Sequence, residues 1–363
     1  MRIAFVHDWL NNLGGAERVL VELHKIFPDA PIYVLFSNKK FVREFLPDAE
    51  IRASSLQKIP LINRLYKYLF FLMPPAIESF DLSGFDIVIS SSVIFSKGLV
   101  LKPKTKHICY CYSPTRFLWD RHAEYENRGV LAGLSRHLLR IWDRQASDRV
   151  DKFIAISEHV QSRIKKYYGK ESQIIYPPIS PTSYPTRRVG HEKSVDNSEY
   201  YLIVSRLFPH KNIDIAIDAF NKLGYELVII GDGPAKNNLK KKAGKNIKIL
   251  GYKKDEEVGN YYRNCKAFIM PQEEDFGLTP LEAMSFGKPV LALRKGGALE
   301  TVAENITGEF FDDPIPEALA DGVRRLNKNY KNYNPLIIRK WAEKFSRDRF
   351  RKEMLKLVNE ICG

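Results

Sequence analysis

The chain has 363 residues, of which 44% are hydrophobic and 12% aromatic, enough to bury the cores of two domains. Its formal net charge of +14 predicts an anionic partner: nucleic acid, an acidic membrane surface or a phosphorylated substrate. Four cysteines without a C-x-x-C pair are too few for a disulfide framework. A first strand that starts at the N-terminus, with no apolar stretch near the roughly 20 residues of a membrane span, predicts a cytoplasmic protein.

Strand-length apolar runs alternate with helical patterns along the chain, which predicts an α/β fold with parallel sheets. In the first half the predicted strands are Ile3–His7, Ile32–Leu35, Ile87–Ser90, His107–Cys111 and Phe153–Ile156. After a polar segment rich in Pro, Ser and Thr, the pattern restarts with Tyr200–Val204, Glu226–Ile230, Ile247–Leu250, Ala267–Met270 and Pro289–Leu293.

The interrupted pattern predicts two Rossmann-like domains joined by one linker. The predicted parts are an N-terminal domain at 1–180, a linker at 181–199, a C-terminal domain at 200–340 and a C-terminal helix at 341–363. Ligands of open α/β sheets bind at the carboxyl ends of the strands, so we expect the two sheets to face each other across a ligand-binding cleft.

A basic and apolar segment precedes the third predicted strand. Lys58, Arg64 and Lys67 stand among apolar residues that continue to Ile77. Such a segment could lie in a membrane interface, or it could be a helix that packs on the core with a solvated basic face. The sequence favours neither interpretation.

A glycine pair, Gly14 and Gly15, lies between the first strand and the first helical pattern. The surrounding residues do not form Gly-x-Gly-x-x-Gly, so they give little support to an NAD-binding fold. The backbone amides of this turn are candidate ligands for a donor diphosphate.

Aromatic and charged residues follow the strand His107–Cys111. Rings pack on sugar faces and charged groups bond sugar hydroxyls, which makes this loop a candidate sugar or acceptor site. The alternative is an aromatic loop that closes the core. The candidate residues are Tyr112, Arg116, Trp119 and His122, together with His7 at the end of the first strand.

Two cationic residues, Arg206 and Lys211, follow the first strand of the second half. Charge-assisted hydrogen bonds from both could hold a diphosphate and stabilise it as a leaving group, although basic loops are often only solvated. The chain contains no Asp-x-Asp and no cluster with metal-ligand spacing, so neither a metal nor another cofactor is expected.

The carboxylates Glu274 and Glu282, spaced as Glu-x7-Glu, flank the predicted start of a helix. In one interpretation Thr279 is the N-cap and Glu282 completes a capping box. In the other, Gly277 and the free amides of the helix start approach a diphosphate, Glu282 bonds the ribose and Glu274 faces the sugar.

These segments together resemble glycosyltransferase family 4, the retaining enzymes of GT-B fold, over nearly the whole chain. The resemblance implies that Arg206 and Lys211 bind the diphosphate and act in catalysis. It further implies that Glu282 binds the ribose, and that Glu274 and the amides of Phe276–Leu278 hold the transferred sugar. It also implies that the C-terminal helix packs on the first domain.

Two stretches, Asp8–Leu10 and Ser113–Asp120, are similar to the mannosyltransferase branch of polysaccharide assembly. That similarity implies GDP-mannose as donor and a lipid-linked saccharide as acceptor. Relatives in this branch generally carry histidine where this chain has Tyr112. Either that histidine only positions the sugar, or His7 or His122 replaces it, or the chain is impaired.

Three alternatives remain open. The same fold could use a UDP-sugar such as UDP-glucose, or the chain could bind a nucleotide sugar without turnover. Nucleic-acid binding is disfavoured because the basic residues are scattered and no nucleic-acid motif is present. The basic charge is consistent with a peripheral position on the inner face of the cell membrane.

Overall fold

The structure is a computed structural model that describes residues 1–120, 130–179 and 200–362. The predicted linker at 181–199 and the candidate His122 lie outside the described residues. The chain divides into two compact units. Unit 1 comprises Met1–Pro178 and Phe350–Gly363, and unit 2 comprises Ile179–Arg349.

Unit 1 is built on a parallel sheet of seven strands within the described residues, in the order β3-β2-β1-β4-β5-β6-β7. The strands are β1 (Ile3–His7), β2 (Ile32–Val34), β3 (Ile51–Ala53), β4 (Ile87–Ser92), β5 (Lys106–Cys111), β6 (Lys152–Ala155) and β7 (Ser172–Ile174). The longer predicted strands are confirmed because their apolar residues are buried along their length. The sequence missed β3 and β7, three-residue edge strands with half-exposed or exposed side chains.

Helices and short turns connect these strands. The helices are α1 (Gly15–Ile26), α2 (Lys39–Phe45), α3 (Ile62–Leu65), α4 (Met73–Glu78), α5 (Val130–Asp148) and α6 (Glu158–Tyr168). Three 3₁₀ turns at Ser55–Lys58, Tyr66–Tyr68 and Phe70–Leu72 flank α3 and lead into α4. The 58–77 segment is therefore a chain of short helical pieces, because its prolines and aromatic residues interrupt any longer helix.

Unit 2 repeats the same winding in its described part, with six parallel strands in the order β10-β9-β8-β11-β12-β13. The strands are β8 (Tyr200–Val204), β9 (Glu226–Ile230), β10 (Ile247–Gly251), β11 (Ala267–Met270), β12 (Val290–Leu293) and β13 (Gly308–Phe311). The first five match the predicted strands closely. The sequence missed β13, in which a buried Glu309 interrupts the apolar run.

The helices of unit 2 pack on both faces of its sheet. They are α7 (Ile213–Leu223), α8 (Lys236–Lys242), α9 (Asp255–Asn264), α10 (Leu278–Ser285), α11 (Ala298–Thr301), α12 (Pro316–Lys328) and α13 (Pro335–Ala342). A last helix, α14 (Arg347–Cys362), follows, and its residues from Phe350 onward belong to unit 1. There the ring of Phe350 meets Tyr110 edge-on at a centroid distance of 5.9 Å.

Each sheet winds outward in both directions from its first strand, which is the doubly wound order of a Rossmann-like fold. The order reverses between β1 and β4 in unit 1 and between β8 and β11 in unit 2. The carboxyl ends of strands at such a reversal flank the crevice in which open α/β sheets bind ligands. In each unit, the candidate functional residues are therefore sought at this place.

Candidate functional site

In unit 2 the loops that leave the reversal point carry the predicted donor-binding residues. Arg206 and Lys211 follow β8, and Glu274 follows β11. The two loops are joined by Asn212, whose side-chain amide donates to the carbonyl of Pro271 at 3.2 Å. Asn212 is the N-cap residue of α7, but its side chain makes no cap hydrogen bond and bridges the loops instead.

Lys211 and Glu274 form the central ion pair of this site. Lys211 is buried at 7% exposure, and its Nζ lies 2.6 Å from Oε1 of Glu274. The side-chain amide of Gln272 donates to the same oxygen at 2.9 Å. A lysine ammonium has three donors, so binding one carboxylate oxygen leaves donors for a phosphate. The pair therefore fixes the carboxylate and presents a cation beside it.

Arg206 is exposed, and its guanidinium lies over the ring of Phe208 at 5.6 Å from the centroid. No carboxylate of the described residues lies within ion-pair distance of it. The structure thus has one cation, Lys211, that is held in place by Glu274, and another on the same loop, Arg206, that is available to an incoming anion.

Helix α10 begins at Leu278, with Gly277 at the N-cap in a left-handed conformation (φ 92°). The predicted N-cap at Thr279 is wrong, because Gly277 adopts the positive φ that lets the chain enter the helix two residues earlier. The amides of Leu278 and Thr279 have no acceptor within the helix and suit an anion. Phe276, just before, is buried and packs on Phe345 at 5.6 Å.

Glu282 lies in the second turn of α10, and its Oε2 accepts a hydrogen bond from the hydroxyl of Tyr262 at 2.9 Å. The capping-box interpretation of Glu282 is wrong, because Glu282 does not lie three residues after the actual N-cap, Gly277. The tyrosine on α9 instead orients this carboxylate. Sequence reasoning missed Tyr262, since nothing in the spacing of the two helices shows that they meet.

Two glycines pack closely against the backbone of the loops that carry these residues. A Cβ on Gly231 would overlap the carbonyl of Ser205, beside Arg206, and a Cβ on Gly296 would overlap the carbonyl of Glu274. The amide of Gly297 also donates to that carbonyl at 2.9 Å. Both turns therefore support the backbone of candidate donor ligands.

In unit 1 the predicted glycine turn is tied to its own helix. The amide of Gly14 donates to Oε2 of Glu17 at 2.8 Å, and Gly15 is the first residue of α1. One of the amides that the sequence offered to a diphosphate is thus already bonded to a carboxylate. The prediction of Gly14 and Gly15 as donor ligands stays a prediction.

His7 is buried at the end of β1. Its Nδ1 lies 2.8 Å from the carbonyl oxygen of Ser91, and its Nε2 lies 3.6 Å from Oε1 of Glu17. Burial on its own lowers the pKa of His7, but the carboxylate of Glu17, together with Asp8 and the bond to Ser91, outweighs it, so that the pKa is raised. A carbonyl can only accept, so Nδ1 carries a proton and Nε2 faces the glutamate.

Tyr112, the residue after β5, belongs to the same hydrogen-bond network. Its hydroxyl lies 2.9 Å from the hydroxyl of Ser91 and donates to the carbonyl of Ala16 at 3.0 Å. Burial raises the pKa of the Tyr112 phenol well above its ordinary value. The phenol is therefore unsuited to proton transfer near neutral pH, and it links the end of β5 to the start of α1.

Asp8, next to His7, accepts four backbone amide hydrogen bonds from the loop after β4. Its Oδ2 accepts from Val93 at 2.9 Å and Ile94 at 2.7 Å, and its Oδ1 accepts from Phe95 and Ser96 at 2.7 Å each. The carboxylate thus bonds the end of β1 to the loop after β4, at the reversal point of unit 1. Sequence reasoning assigned it no role because its partners lie more than 80 residues away in the chain.

The aromatic loop after β5 is anchored to a buried carboxylate. The indole N–H of Trp119 donates to Asp143 on α5 at 2.8 Å, and its ring stacks on Tyr167 at 5.2 Å. Asp143 also pairs with the buried Lys97 at 2.5 Å. These contacts match the core-closing alternative for Trp119. Arg116 lies half-buried in the same turn.

Among residues 1–120, 130–179 and 200–362, no group of three or more His, Cys, Asp or Glu side chains could hold a metal ion. Over the same ranges, no helix is both long and apolar enough to cross a membrane.

Two family models match adjacent parts of the chain. Glycosyltransferase Family 4 matches residues 13–183, and Glycosyl transferases group 1 matches residues 189–340. Among solved structures, Anabaena Alr3699/HepE in complex with UDP is similar, with a TM-score of 0.74 and 17% identity over 99% of this chain and 100% of that one. The fold is therefore GT-B.

Curated relatives include mannosyltransferases. The chain is 23% identical over 335 residues to alpha-1,3/1,6-mannosyltransferase ALG2 of Dictyostelium discoideum, covering 78% of this chain and 76% of that protein. It is 29% identical over 208 residues to the GDP-mannose-dependent alpha-(1-6)-phosphatidylinositol monomannoside mannosyltransferase of Mycobacterium tuberculosis, covering 50% and 54%.

An uncharacterized glycosyltransferase of Methanocaldococcus jannaschii, MJ1178, is 27% identical over 197 residues, covering 52% of this chain and 53% of that protein. This match and that to the mycobacterial enzyme thus span about half the length of each relative. Together the fold, the family matches and the relatives support a glycosyltransferase similar to family 4.

Proposed function

We propose that this chain transfers a mannosyl residue from GDP-mannose to a saccharide acceptor carried on a lipid, with retention of anomeric configuration. The observation that carries the proposal is the group of Arg206, Lys211 and Glu274 at the reversal point of unit 2. A nucleotide diphosphate-sugar has the matching features: two phosphate charges next to a hydroxyl-rich ring.

In the proposed complex Arg206 and the remaining donors of Lys211 bind the diphosphate, and the amides of Leu278 and Thr279 add dipolar stabilisation. Glu282, oriented by Tyr262, accepts from the ribose hydroxyls. Glu274, fixed by Lys211 and Gln272, accepts from hydroxyls of the transferred sugar. Each group thus has a separate part of the donor to bind.

In the proposed reaction the bond from the sugar C1 to the phosphate oxygen breaks, and a bond from C1 to the acceptor oxygen forms on the same face. The acceptor proton passes to the departing phosphate oxygen. Arg206 and Lys211 stabilise the negative charge that develops on this leaving group. Tyr112 is not needed as a base, which fits its raised pKa and its two hydrogen bonds within unit 1.

Incubation with radiolabelled GDP-mannose and a membrane lipid extract tests the proposal. Label in the lipid fraction from wild type but not from Glu274→Ala would support it. No label with a folded protein that binds GDP-mannose would instead favour a binding partner without turnover.

The second candidate is the same reaction with a UDP-sugar such as UDP-glucose. It is favoured by the similarity to Alr3699/HepE, whose structure is described as a complex with UDP. A thermal-shift series with GDP, UDP and ADP separates the two, because the preferred base should stabilise the protein most at equal concentration.

A further inference from the structure

Unit 1 exposes four large apolar side chains within eleven residues. Leu61 is 65% exposed, Leu65 42%, Tyr68 80% and Phe71 63%. They recur every three or four residues along α3 and the turns after it, so they share one side of the ribbon. Single exposed apolar residues are ordinary, but a row of four marks an interaction surface. We call these four residues the 61–71 surface.

The opposite side of the same ribbon is anchored in the core. Ile62 is buried, and Tyr66, Leu69 and Phe70 pack against the core cluster of unit 1. The ring of Phe70 also stacks on Phe117 at 5.6 Å. The ribbon is therefore apolar on both sides, and the outer row projects from a firmly attached element.

The charged residues within this segment have one sign. Residues 58–77 contain Lys58, Arg64 and Lys67 and no aspartate or glutamate. Lys58 and Arg64 are exposed. An apolar row with cations beside it is complementary to a surface that is apolar beneath and negatively charged on top.

Helix α5 carries a second row of this kind, the α5 stripe, formed by Leu134, Leu138 and Ile141. These side chains are 55%, 57% and 43% exposed and share one helix face. Leu139 and Trp142 of the same helix pack on the core cluster of unit 1 that Tyr66, Leu69 and Phe70 also contact. Residues 130–142 contain arginines and likewise no acidic residue.

We propose that the 61–71 surface, together with the α5 stripe, docks unit 1 onto an anionic lipid bilayer. The apolar side chains insert between headgroups while neighbouring Lys and Arg bind lipid phosphates. A second copy of this chain fits less well, because it would bring one acid-free basic surface against another. The inference does not depend on which sugar nucleotide the protein uses.

Vesicle flotation tests the proposal, with phosphatidylcholine vesicles compared to vesicles that contain about one-third phosphatidylglycerol. Wild type should float with the anionic vesicles, and salt should weaken this binding. The double variant Leu65→Ser/Phe71→Ser should bind at least about tenfold more weakly. Lys58→Gln/Arg64→Gln should lose most of the difference between the two kinds of vesicle.

The matched control is Leu336→Ser/Ile337→Ser, which removes two exposed apolar residues, 70% and 51% exposed, from α13 of unit 2. This control should float like wild type. Because the vesicles hold no saccharide and no nucleotide is added, a negative result here leaves the proposed transfer reaction untouched. Thermal denaturation of each variant checks folding, and Tyr68→Ser is the milder substitute for a variant that does not fold.

Three results would overturn the docking proposal. Wild type could fail to float with anionic vesicles, or the Leu65/Phe71 variant could float as well as wild type. Gel filtration could also show a wild-type dimer that this variant abolishes, which would make the 61–71 surface an interface between two copies of the chain.

Discussion

The reversal points of the two sheets differ in how their charged side chains are bonded. In unit 1, Asp8 is buried and holds four backbone amides, while His7 and Tyr112 are bonded to neighbouring strand and helix groups. In unit 2, Arg206 is exposed and Glu274 keeps about a quarter of its side-chain surface accessible beside Lys211. The two units thus share one strand order, but the polar side chains at the reversal point are bonded to the protein itself in unit 1 and are partly accessible to a ligand in unit 2.

This difference predicts that the residues at one reversal point mainly stabilise the fold and that those at the other mainly bind the donor. A carboxylate that holds four amides contributes to folding, and its replacement should unfold the protein before it affects a ligand. An exposed cation such as Arg206 contributes little to folding and much to the binding of an anionic ligand. Variants in unit 1 should therefore change the free energy of unfolding, and variants in unit 2 should change donor binding and turnover.

Lys211→Ala should have the largest effect on activity. It removes a buried cation from the proposed leaving group and releases Glu274, so turnover should fall by about 10²–10³-fold. The measurement is sugar transfer at saturating donor. The control is Lys222→Ala, an exposed lysine of unit 2 paired with Glu317, which should leave turnover unchanged. Equal turnover in wild type and Lys211→Ala would remove Lys211 from the site.

Asp8→Asn should have the largest effect on stability. Asparagine offers one acceptor oxygen to amides that now share two charged ones, so the free energy of unfolding should fall by about 2–4 kcal/mol. Urea unfolding measures it, with the exposed Asp29→Asn as control. Donor affinity of the folded variant should match wild type, and a loss of affinity without a loss of stability would contradict the comparison.

His107 makes unit 1 sensitive to acid. Burial lowers the pKa of His107 to about 4, so the folded state holds the neutral ring while the unfolded chain takes up a proton near pH 6.5. Stability is therefore lost as the pH falls from about 6.5 towards 4, by about 2 kcal/mol at pH 5. His107→Gln should show a smaller loss of melting temperature between pH 7 and pH 5. Parallel profiles for wild type and variant would show that His107 is not responsible.

Tyr112→Phe should have the smallest effect. Loss of the hydroxyl removes its hydrogen bonds to Ser91 and Ala16 and should reduce the free energy of unfolding by about 1 kcal/mol. Transfer should stay within about threefold of wild type, because the departing phosphate accepts the proton. A fall of about 10²-fold with unchanged stability would instead make Tyr112 a catalytic residue.

Most of the fold could be predicted because parallel strands buried on both faces form continuous apolar runs, as in β1, β8 and β11. The three missed strands are short edge strands or, as in β13, contain a buried charge. The start of α10 was misassigned because threonine is a common N-cap residue. The actual N-cap is Gly277, which has no side chain to signal it and is recognised only by its backbone conformation.

The position of the candidate residues in the fold was predictable where charged residues directly follow strands. Arg206, Lys211 and Glu274 lie at carboxyl ends of adjacent strands, and topology brings such ends together. Contacts between distant parts of the chain were not predictable. The bond from Tyr262 to Glu282, and the four amides on Asp8, depend on packing that no local spacing records.

The central claim is that the donor binds to unit 2 through Arg206, which the fold leaves exposed, together with the buried Lys211. Isothermal titration calorimetry of GDP-mannose into wild type and Arg206→Ala tests it most directly. We predict binding to wild type and an affinity about 10- to 100-fold lower in the variant, with the same melting temperature, since Arg206 makes one or two charge-assisted hydrogen bonds. Equal affinity in both proteins would contradict the account.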